Sequence, residues 1–150
     1  MPFEPSDPTW EARVRASFAR QRMMETIGAI LERVAPGEVD IRLPIQDHIA
    51  QHHGFVHAGA LTTAVDTACG YAALTLMPPG AGVLTIEFKV NLMSPAKGEA
   101  IVARGRVVKP GRNVTFCHGD VFAIDGGREK LVATMAATMM TVQGRPDIVD

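Results

Sequence analysis

The chain has 150 residues, 47% of them hydrophobic and 21% charged, which favours one folded domain over residues 1–150 with flexible tails at 1–9 and 143–150. A net charge of −1 and an aromatic content of 5% argue against a basic nucleic-acid binder with aromatic stacking platforms. The two cysteines lack metal or disulfide spacing, and no segment resembles a signal peptide or a membrane span. We therefore expect a cytoplasmic protein with reduced thiols, no nucleic-acid partner and no membrane association.

The first predicted element is a helix over about residues 10–26, with Thr9 as its N-cap. Its apolar stripe faces inward, and its arginines, Arg13 among them, are expected mostly on the exposed face. Two short strands, 27–34 and 38–43, follow around a proline-glycine turn.

A polar, histidine-rich loop over residues 45–55 leads into the central helix, predicted over 57–77. The helix is apolar around most of its surface and stops at a Pro-Pro-Gly segment. Asp66 lies within it and is the only Asp, Glu, Lys or Arg between Asp47 and Glu87. A stretch so poor in charge is typical of a buried core.

After the central helix the hydrophobic period changes to two. Residues 84–92 alternate apolar and polar side chains, which predicts a strand with one buried and one polar face. Three more strands are expected over 99–108, 113–124 and 130–142, each pair joined by a hairpin-type turn. We therefore expect an α+β fold in which a four-strand meander and the first two strands form an antiparallel sheet of about six strands that wraps the helix.

The isolated acid is the candidate for chemistry. Burying the charge of Asp66 costs several kcal/mol unless the carboxylate is hydrogen-bonded or its pKa rises, and such groups serve as acids, bases or nucleophiles. The structural alternative is a buried carboxylate satisfied by backbone N–H groups or by nearby hydroxyls, with Thr62 and Thr63 as candidates.

Two motifs give the chain a family resemblance. Residues 51–59 read QHHGFVHAG, Asp66 follows His57 by nine residues, and residues 88–99 read FKVNLMSPAKGE. This pattern resembles the hotdog fold, and more closely the PaaI-type acyl-CoA thioesterases, whose signature is similar to NxxGxxHGG followed by a helix that carries Asp. The resemblance covers about residues 20–142.

The resemblance implies how the protein assembles and what it acts on. Two protomers would pair through the strand after the central helix, as a homodimer or as a tetramer made of two dimers. Asp66 of one protomer would face the loop of residues 51–59 of the other. The strand over 84–92 fits this expectation, since it would be an exposed edge if unpaired. The substrate would be an acyl-CoA, with no metal and no cofactor beyond the CoA of the substrate.

The resemblance also implies which residues would carry out the reaction. Asp66 would act as nucleophile or as general base to a water. The N–H groups of Ala58 and Gly59, at the start of the helix, would stabilise the oxyanion, with Ala58 in the place of the first glycine of the signature. Three more residues belong to the expected site. Gln51 stands in place of the signature's asparagine, His57 orients the loop or caps the helix, and Thr85 supplies a hydroxyl from the following strand.

The basic stretch of residues 97–112 is expected to bind the CoA moiety. Arg112, beside a Pro-Gly turn, is the first candidate, followed by Lys109 and Arg106. The other residues expected to touch the CoA or the acyl group come from the loop and from the central helix: His53, Gly54 and Tyr71.

Two further functions fit the same fold. An enoyl-thioester hydratase or dehydratase would use a histidine paired with a carboxylate, which His57 and Asp66 would supply. A non-catalytic acyl-CoA-binding protein would not need Asp66 at all.

Overall fold

A computed structural model describes residues 2–150, which form three α-helices, one 3-10 turn and six strands. The helices are α1, α2 and α3, at Trp10–Arg20, Arg22–Ile27 and Ala58–Leu74. The 3-10 turn spans Asp47–Ile49. The strands β1 to β6 span Ile30–Ala35, Glu38–Pro44, Gly82–Leu92, Ala100–Lys109, Val114–Asp125 and Arg128–Val142.

All six strands form one antiparallel sheet in the order β1-β2-β4-β5-β6-β3. The predicted four-strand meander is therefore wrong in one respect, because β3 crosses the sheet to pair with β6 instead of with β4. Only β4, β5 and β6 form a meander. The crossover leaves β3 at the far edge of the sheet, where one side of its backbone pairs with no other strand of residues 2–150.

Helix α3 lies across one face of this sheet and contributes nine buried side chains to the core. Its side chains Val65, Ala68 and Ala72 are fully buried. The close approach of helix and sheet depends on Gly105 in β4, where an added Cβ would overlap the backbone of Ala68. A long helix wrapped by a six-stranded antiparallel sheet, with helices preceding it, confirms the expected hotdog fold.

The predicted N-terminal helix is two helices, because the chain is extended at Gln21, where φ is −78° and ψ is 103°. Thr9 occupies the N-cap position but its side chain makes no capping bond. Instead, the Asp7 carboxylate accepts hydrogen bonds from the Thr9 N–H and hydroxyl, at 2.8 and 2.7 Å.

Arg13 does not lie on an exposed face as predicted. Its guanidinium is largely buried and donates to three carbonyl oxygens, that of Leu74 in the last position of α3 and those of Met77 and Pro78 just beyond it, at 2.9, 2.8 and 2.7 Å. The last carbonyls of a helix have no partner within it, so Arg13 caps α3 from the neighbouring helix.

The two end segments, expected to be flexible, contact the domain over the described residues. The Phe3 ring covers Gly37, and Asp7 is buried. At the other end, the Asp150 carboxylate accepts hydrogen bonds from the Ser17 hydroxyl and from the Val83 N–H, at 2.7 and 2.8 Å.

Candidate functional site

Asp66 is half-buried near the middle of α3. Its Oδ1 accepts a hydrogen bond of 2.8 Å from the Thr85 hydroxyl, and its Oδ2 has no partner among residues 2–150. Burial raises the pKa of this carboxyl, and the Thr85 hydrogen bond lowers it by less, so the net direction is upward. The alternative partners considered from the sequence are wrong: the Thr63 hydroxyl donates to the Gly59 carbonyl instead.

Thr85 reaches Asp66 because β3 has a bulge. Simple alternation assigned Thr85 to the polar face of the strand. The register of β3 against β6 shifts between Thr85 and Glu87, so that Thr85 pairs with the buried Met139 and Phe88 with the buried Ala137. Residues paired across two strands share a face of the sheet. Ile86, the extra residue of the bulge, therefore places the Thr85 side chain on the same face as Phe88, toward α3.

A small cavity adjoins the carboxylate, with a volume of about 140 Å³. We call it the Asp66 cavity. Its walls come from the junction of α1 and α2, from α3 and from β3: Gln21, Asp66, Thr67, Gly70, Tyr71, Val83 and Thr85. Tyr71, expected to touch substrate, is buried here, and its hydroxyl lies 3.0 Å from the Ser17 hydroxyl and 2.9 Å from Gln21 Nε2.

His57 is the N-cap of α3, as expected of a structural histidine. Its Nδ1 accepts the Gly59 N–H at 2.8 Å, and its carbonyl accepts the N–H groups of Ala60 and Leu61. The N–H of Ala58 has no acceptor among residues 2–150. Of the two expected oxyanion donors, Ala58 is thus open at the positive end of the helix dipole, whereas Gly59 already has a partner.

Gln51 organises the loop before this helix. Its N–H donates to the Phe55 carbonyl at 2.8 Å, its carbonyl accepts the Gly54 N–H at 2.8 Å, and its amide oxygen accepts the His53 N–H. Gly54 has φ of +86°, a left-handed conformation that favours glycine. His53 is exposed, with its ring 3.9 Å from that of His52.

A larger cavity, of about 830 Å³, lies between this loop, the start of α3 and the end of β3. We call it the loop cavity. It is lined by Gln51, His52, Phe55, Val56, His57, Ala58, Leu61 and residues 92–96. Asp66 does not line it. Asp66 follows Ala58 by eight residues, or about 12 Å along a helix at a rise of about 1.5 Å per residue. One protomer therefore does not bring Asp66 together with the expected oxyanion donors.

The basic residues divide into paired and unpaired ones. Arg106 forms an ion pair with the Asp40 carboxylate within the sheet, with its Nη1 2.7 Å from Oδ1, so its charge is already balanced. Lys109 and Arg112 make no ion pair among the described residues. Arg112 lines a separate cavity of about 400 Å³ near the end of α3, together with Met77 and Pro110.

Sequence reasoning missed Gln21. A glutamine among charged helix residues gives no signal, and only the break between α1 and α2 turns it toward α3. In residues 2–150 no cluster of three or more His, Cys, Asp or Glu side chains is arranged to hold a metal ion. No helix in the same range has the length and hydropathy needed to span a membrane.

The chain is similar to several known proteins. A thioesterase family protein from Silicibacter pomeroyi, solved by crystallography, is 47% identical, superimposes with a TM-score of 0.88, and matches over 90% of this chain and 99% of that one. Human acyl-coenzyme A thioesterase 13 is 29% identical over 110 residues, 72% of this chain and 78% of that protein. A Halobacterium salinarum protein that carries an esterase name is 32% identical over 97 residues, and the match spans 64% of its length, just under two thirds.

The PaaI protein of E. coli is only 15% identical but has the same fold, with a TM-score of 0.80 over 91% of this chain. The long helix wrapped by a six-stranded antiparallel sheet is therefore the hotdog fold, which this chain shares with PaaI. The model of the thioesterase superfamily matches residues 53–130, which is more than half of the sequence. The chain belongs to the thioesterase superfamily.

Proposed function

We propose that the protein is an acyl-CoA thioesterase, which hydrolyses an acyl-CoA to the free acid and CoA. The observation that carries the proposal is Asp66, whose pKa burial raises and whose Oδ2 has no partner among residues 2–150 beside a cavity. A carboxylate in such a setting serves as nucleophile toward the thioester carbonyl or as general base to a water. The similarity to acyl-coenzyme A thioesterase 13 supports acyl-CoA as the substrate. The reaction needs water and no cofactor.

The complete site is formed by two protomers. Strand β3 exposes large apolar side chains on both faces, including Ile86 and Phe88 at 53% and 46%. Such an edge is stable in water only when it is covered. Antiparallel pairing of two β3 strands covers it and sets the two α3 helices side by side. Asp66 of one protomer then faces the loop cavity of the other, so a homodimer is the smallest active unit.

Each group of the loop has a role in this site. The Ala58 N–H, at the helix N-terminus, stabilises the oxyanion. His57 positions this N–H, because its hydrogen bond from the Gly59 N–H fixes the first turn of the helix. The Gln51 amide nitrogen orients the thioester or the water, and Thr85 holds the Asp66 carboxylate. His53 and Gly54 line the entrance.

Unpaired cations bind the phosphates of CoA. Lys109 and Arg112 are available for this role, whereas the ion pair of Arg106 with Asp40 makes Arg106 a residue of the sheet. The hydratase alternative would need a His57–Asp66 pair through His57 Nε2, since Nδ1 already accepts from the Gly59 N–H; the similarity to acyl-coenzyme A thioesterase 13 favours hydrolysis instead.

Substitution of the acid tests the proposal. We expect Asp66→Asn to lower kcat/KM for thiol release from a panel of acyl-CoAs by about 10²–10⁴-fold, the range that general acid–base groups contribute. Asp47→Asn, at an exposed acid outside the site, is the matched control and should leave the rate unchanged. Equal loss in both variants, or binding of acyl-CoA by the wild-type dimer without turnover, would contradict the proposal. Hydration of crotonyl-CoA without thiol release would favour the hydratase.

A further inference from the structure

Residues 148–150, which follow the last strand, lie along the first residues of β3. The Asp150 N–H donates to the Ala81 carbonyl at 3.4 Å, and an added Cβ at Gly82 would come within 2.7 Å of the Ile148 carbonyl oxygen. Only glycine allows the two segments to approach so closely. The backbone therefore places the Asp150 side chain beside the start of the strand.

The Asp150 carboxylate joins β3 to helix α1. Its Oδ2 accepts the Val83 N–H at 2.8 Å, and its Oδ1 accepts the hydroxyl of Ser17, a buried residue of α1, at 2.7 Å. Hydrogen bonds to a carboxylate are roughly twice as strong as those between neutral groups. One side chain thus holds two elements together that no strand pairing connects.

The first arm of this bridge runs through α1 to the Asp66 cavity. The Ser17 hydroxyl gives its single proton to Asp150, so the Tyr71 hydroxyl donates to Ser17, at 3.0 Å. Tyr71 in turn accepts from Gln21 Nε2, at 2.9 Å. Because Tyr71 and Gln21 both line the Asp66 cavity, a chain of three hydrogen bonds connects Asp150 to its wall.

The second arm runs through β3 to Asp66 itself. Val83, whose N–H donates to Asp150, lines the same cavity and precedes Thr85 by two residues. The Thr85 hydroxyl donates to Asp66 Oδ1 at 2.8 Å, so a shift of the start of β3 would move this donor relative to the carboxylate. A displacement of about 1 Å at a reacting group lowers a rate by as much as about 10²-fold.

We propose that Asp150 is a positioning residue for the reaction, and that it fixes α1 and β3 against α3 so that the Asp66 carboxylate keeps its orientation. Asp150 lines neither the Asp66 cavity nor the loop cavity, so it acts through other residues and does not touch the substrate. Its effect falls on the chemical step, since Lys109 and Arg112, the proposed phosphate contacts, are not part of the bridge. The inference rests on the proposed hydrolysis at this site.

Two substitutions of Asp150 test the bridge. We would measure kcat and KM of the purified full chain with the acyl-CoA that the wild type hydrolyses fastest. Asp150→Ala removes both hydrogen bonds and should lower kcat by about tenfold while KM stays within about twofold of wild type. Asp147→Ala, which removes only an exposed ion pair with Arg145, is the control and should leave kcat unchanged.

Asp150→Asn has the shape of the carboxylate and should rescue most of the rate. Its amide oxygen accepts the Val83 N–H while its amide nitrogen donates to Ser17, and the hydroxyls of Ser17 and Tyr71 reverse their direction to match. We therefore expect kcat within about threefold of wild type.

Ser17→Ala tests the α1 arm separately. It should lower kcat by about threefold, and the double variant with Asp150→Ala should be no slower than Asp150→Ala alone, since both substitutions interrupt one path. Thermal melts of every variant fix an assay temperature at which all are folded. If Asp150→Ala does not fold, Ser17→Ala and Asp150→Asn still decide, because a wild-type kcat in Ser17→Ala or a tenfold loss in Asp150→Asn overturns the proposal.

The two proposals fail in different ways. The role of Asp150 is overturned, and the thioesterase left standing, if folded Asp150→Ala has the kcat of wild type, if Asp150→Asn is as slow as Asp150→Ala, or if KM rises while kcat is unchanged. A role limited to stability lowers the melting temperature of Asp150→Ala and leaves the kcat of the folded enzyme unchanged. Absence of thiol release from every acyl-CoA by the wild type overturns the proposed function and this inference together.

Discussion

The environment of Asp66 favours its neutral form in the folded protein. Burial raises its pKa above the ordinary value of 3.8, and the single hydrogen bond from Thr85 only partly offsets this. The folded state therefore holds the Asp66 proton to a higher pH than the unfolded chain does. From pH 3.8 up to the raised pKa, stability falls as pH rises, because the native state binds more protons than the unfolded state.

This linkage predicts a gain in stability when the charge is removed. Asp66→Asn should melt at a higher temperature than wild type at pH 7, and the advantage should shrink as the pH falls below 3.8, where both states carry a neutral acid. Paired thermal melts at several pH values measure it. A variant less stable than wild type at pH 7 would mean that the carboxylate contributes net stability.

The same raised pKa predicts how activity depends on pH. The deprotonated acid is the active form, so kcat/KM of the wild type should fall on the acidic side with an apparent pKa above 3.8.

Helix α3 has its two ends capped by side chains from different sources. His57 caps the start from within the same segment, whereas Arg13, on α1, caps the end. Three charge-assisted hydrogen bonds from one largely buried guanidinium make the second cap the stronger contact. The N-terminal helix thus stabilises the helix that carries Asp66.

Two arginines on α1 provide a matched test of this cap. We expect Arg13→Met to lower the free energy of unfolding by roughly 3 kcal/mol, since it removes the hydrogen bonds to the carbonyls at and just beyond the end of α3 and leaves Asp7 without its ion-pair partner. Arg15→Met breaks only an exposed pair with Glu11, at 2.8 Å, and should cost about 0.5 kcal/mol or less. Denaturant unfolding compares the two. Similar losses in both variants would rule out the capping role.

Local patterns were enough to predict the central helix, most strand positions and the isolation of Asp66, because hydrophobic periodicity and charge depletion are properties of neighbouring residues. Long-range pairing was not predictable in this way. Nothing in residues 82–92 indicates that β3 joins β6 and not β4, and alternation could not reveal the bulge that turns Thr85 inward. The burial of Arg13 was missed for the same reason, since its carbonyl partners lie more than 60 residues away.

In the proposed dimer, β3 belongs both to the sheet of its own protomer and to the interface between the two protomers. One side of its backbone pairs with β6, and the other is open along an edge with exposed apolar side chains. If this edge joins two protomers, dissociation also separates Asp66 from the loop cavity of the partner. Loss of the dimer then also means loss of activity.

A charge on the edge tests this coupling. Phe88→Lys should convert the dimer to a monomer in analytical ultracentrifugation and abolish thiol release, because it desolvates a cation within the interface. Ile30→Lys places the same charge on an exposed apolar residue of β1, at the opposite edge of the sheet, and should keep both the dimer and the activity. An active monomer would show that one chain holds a complete site.

The bulge in β3 has a consequence for how relatives are to be aligned. Deleting Ile86 would leave Thr85 opposite Met139 and Glu87 opposite Thr138, so the strand would keep its ladder with β6 and the Thr85 hydroxyl would still face the Asp66 carboxylate. A homologue that lacks one residue here can therefore have a regular strand and the same hydroxyl contact. Sequences from this family should be matched by strand register, with such a gap placed opposite Ile86, since a gap placed elsewhere in the strand would compare Thr85 with a residue of the other face.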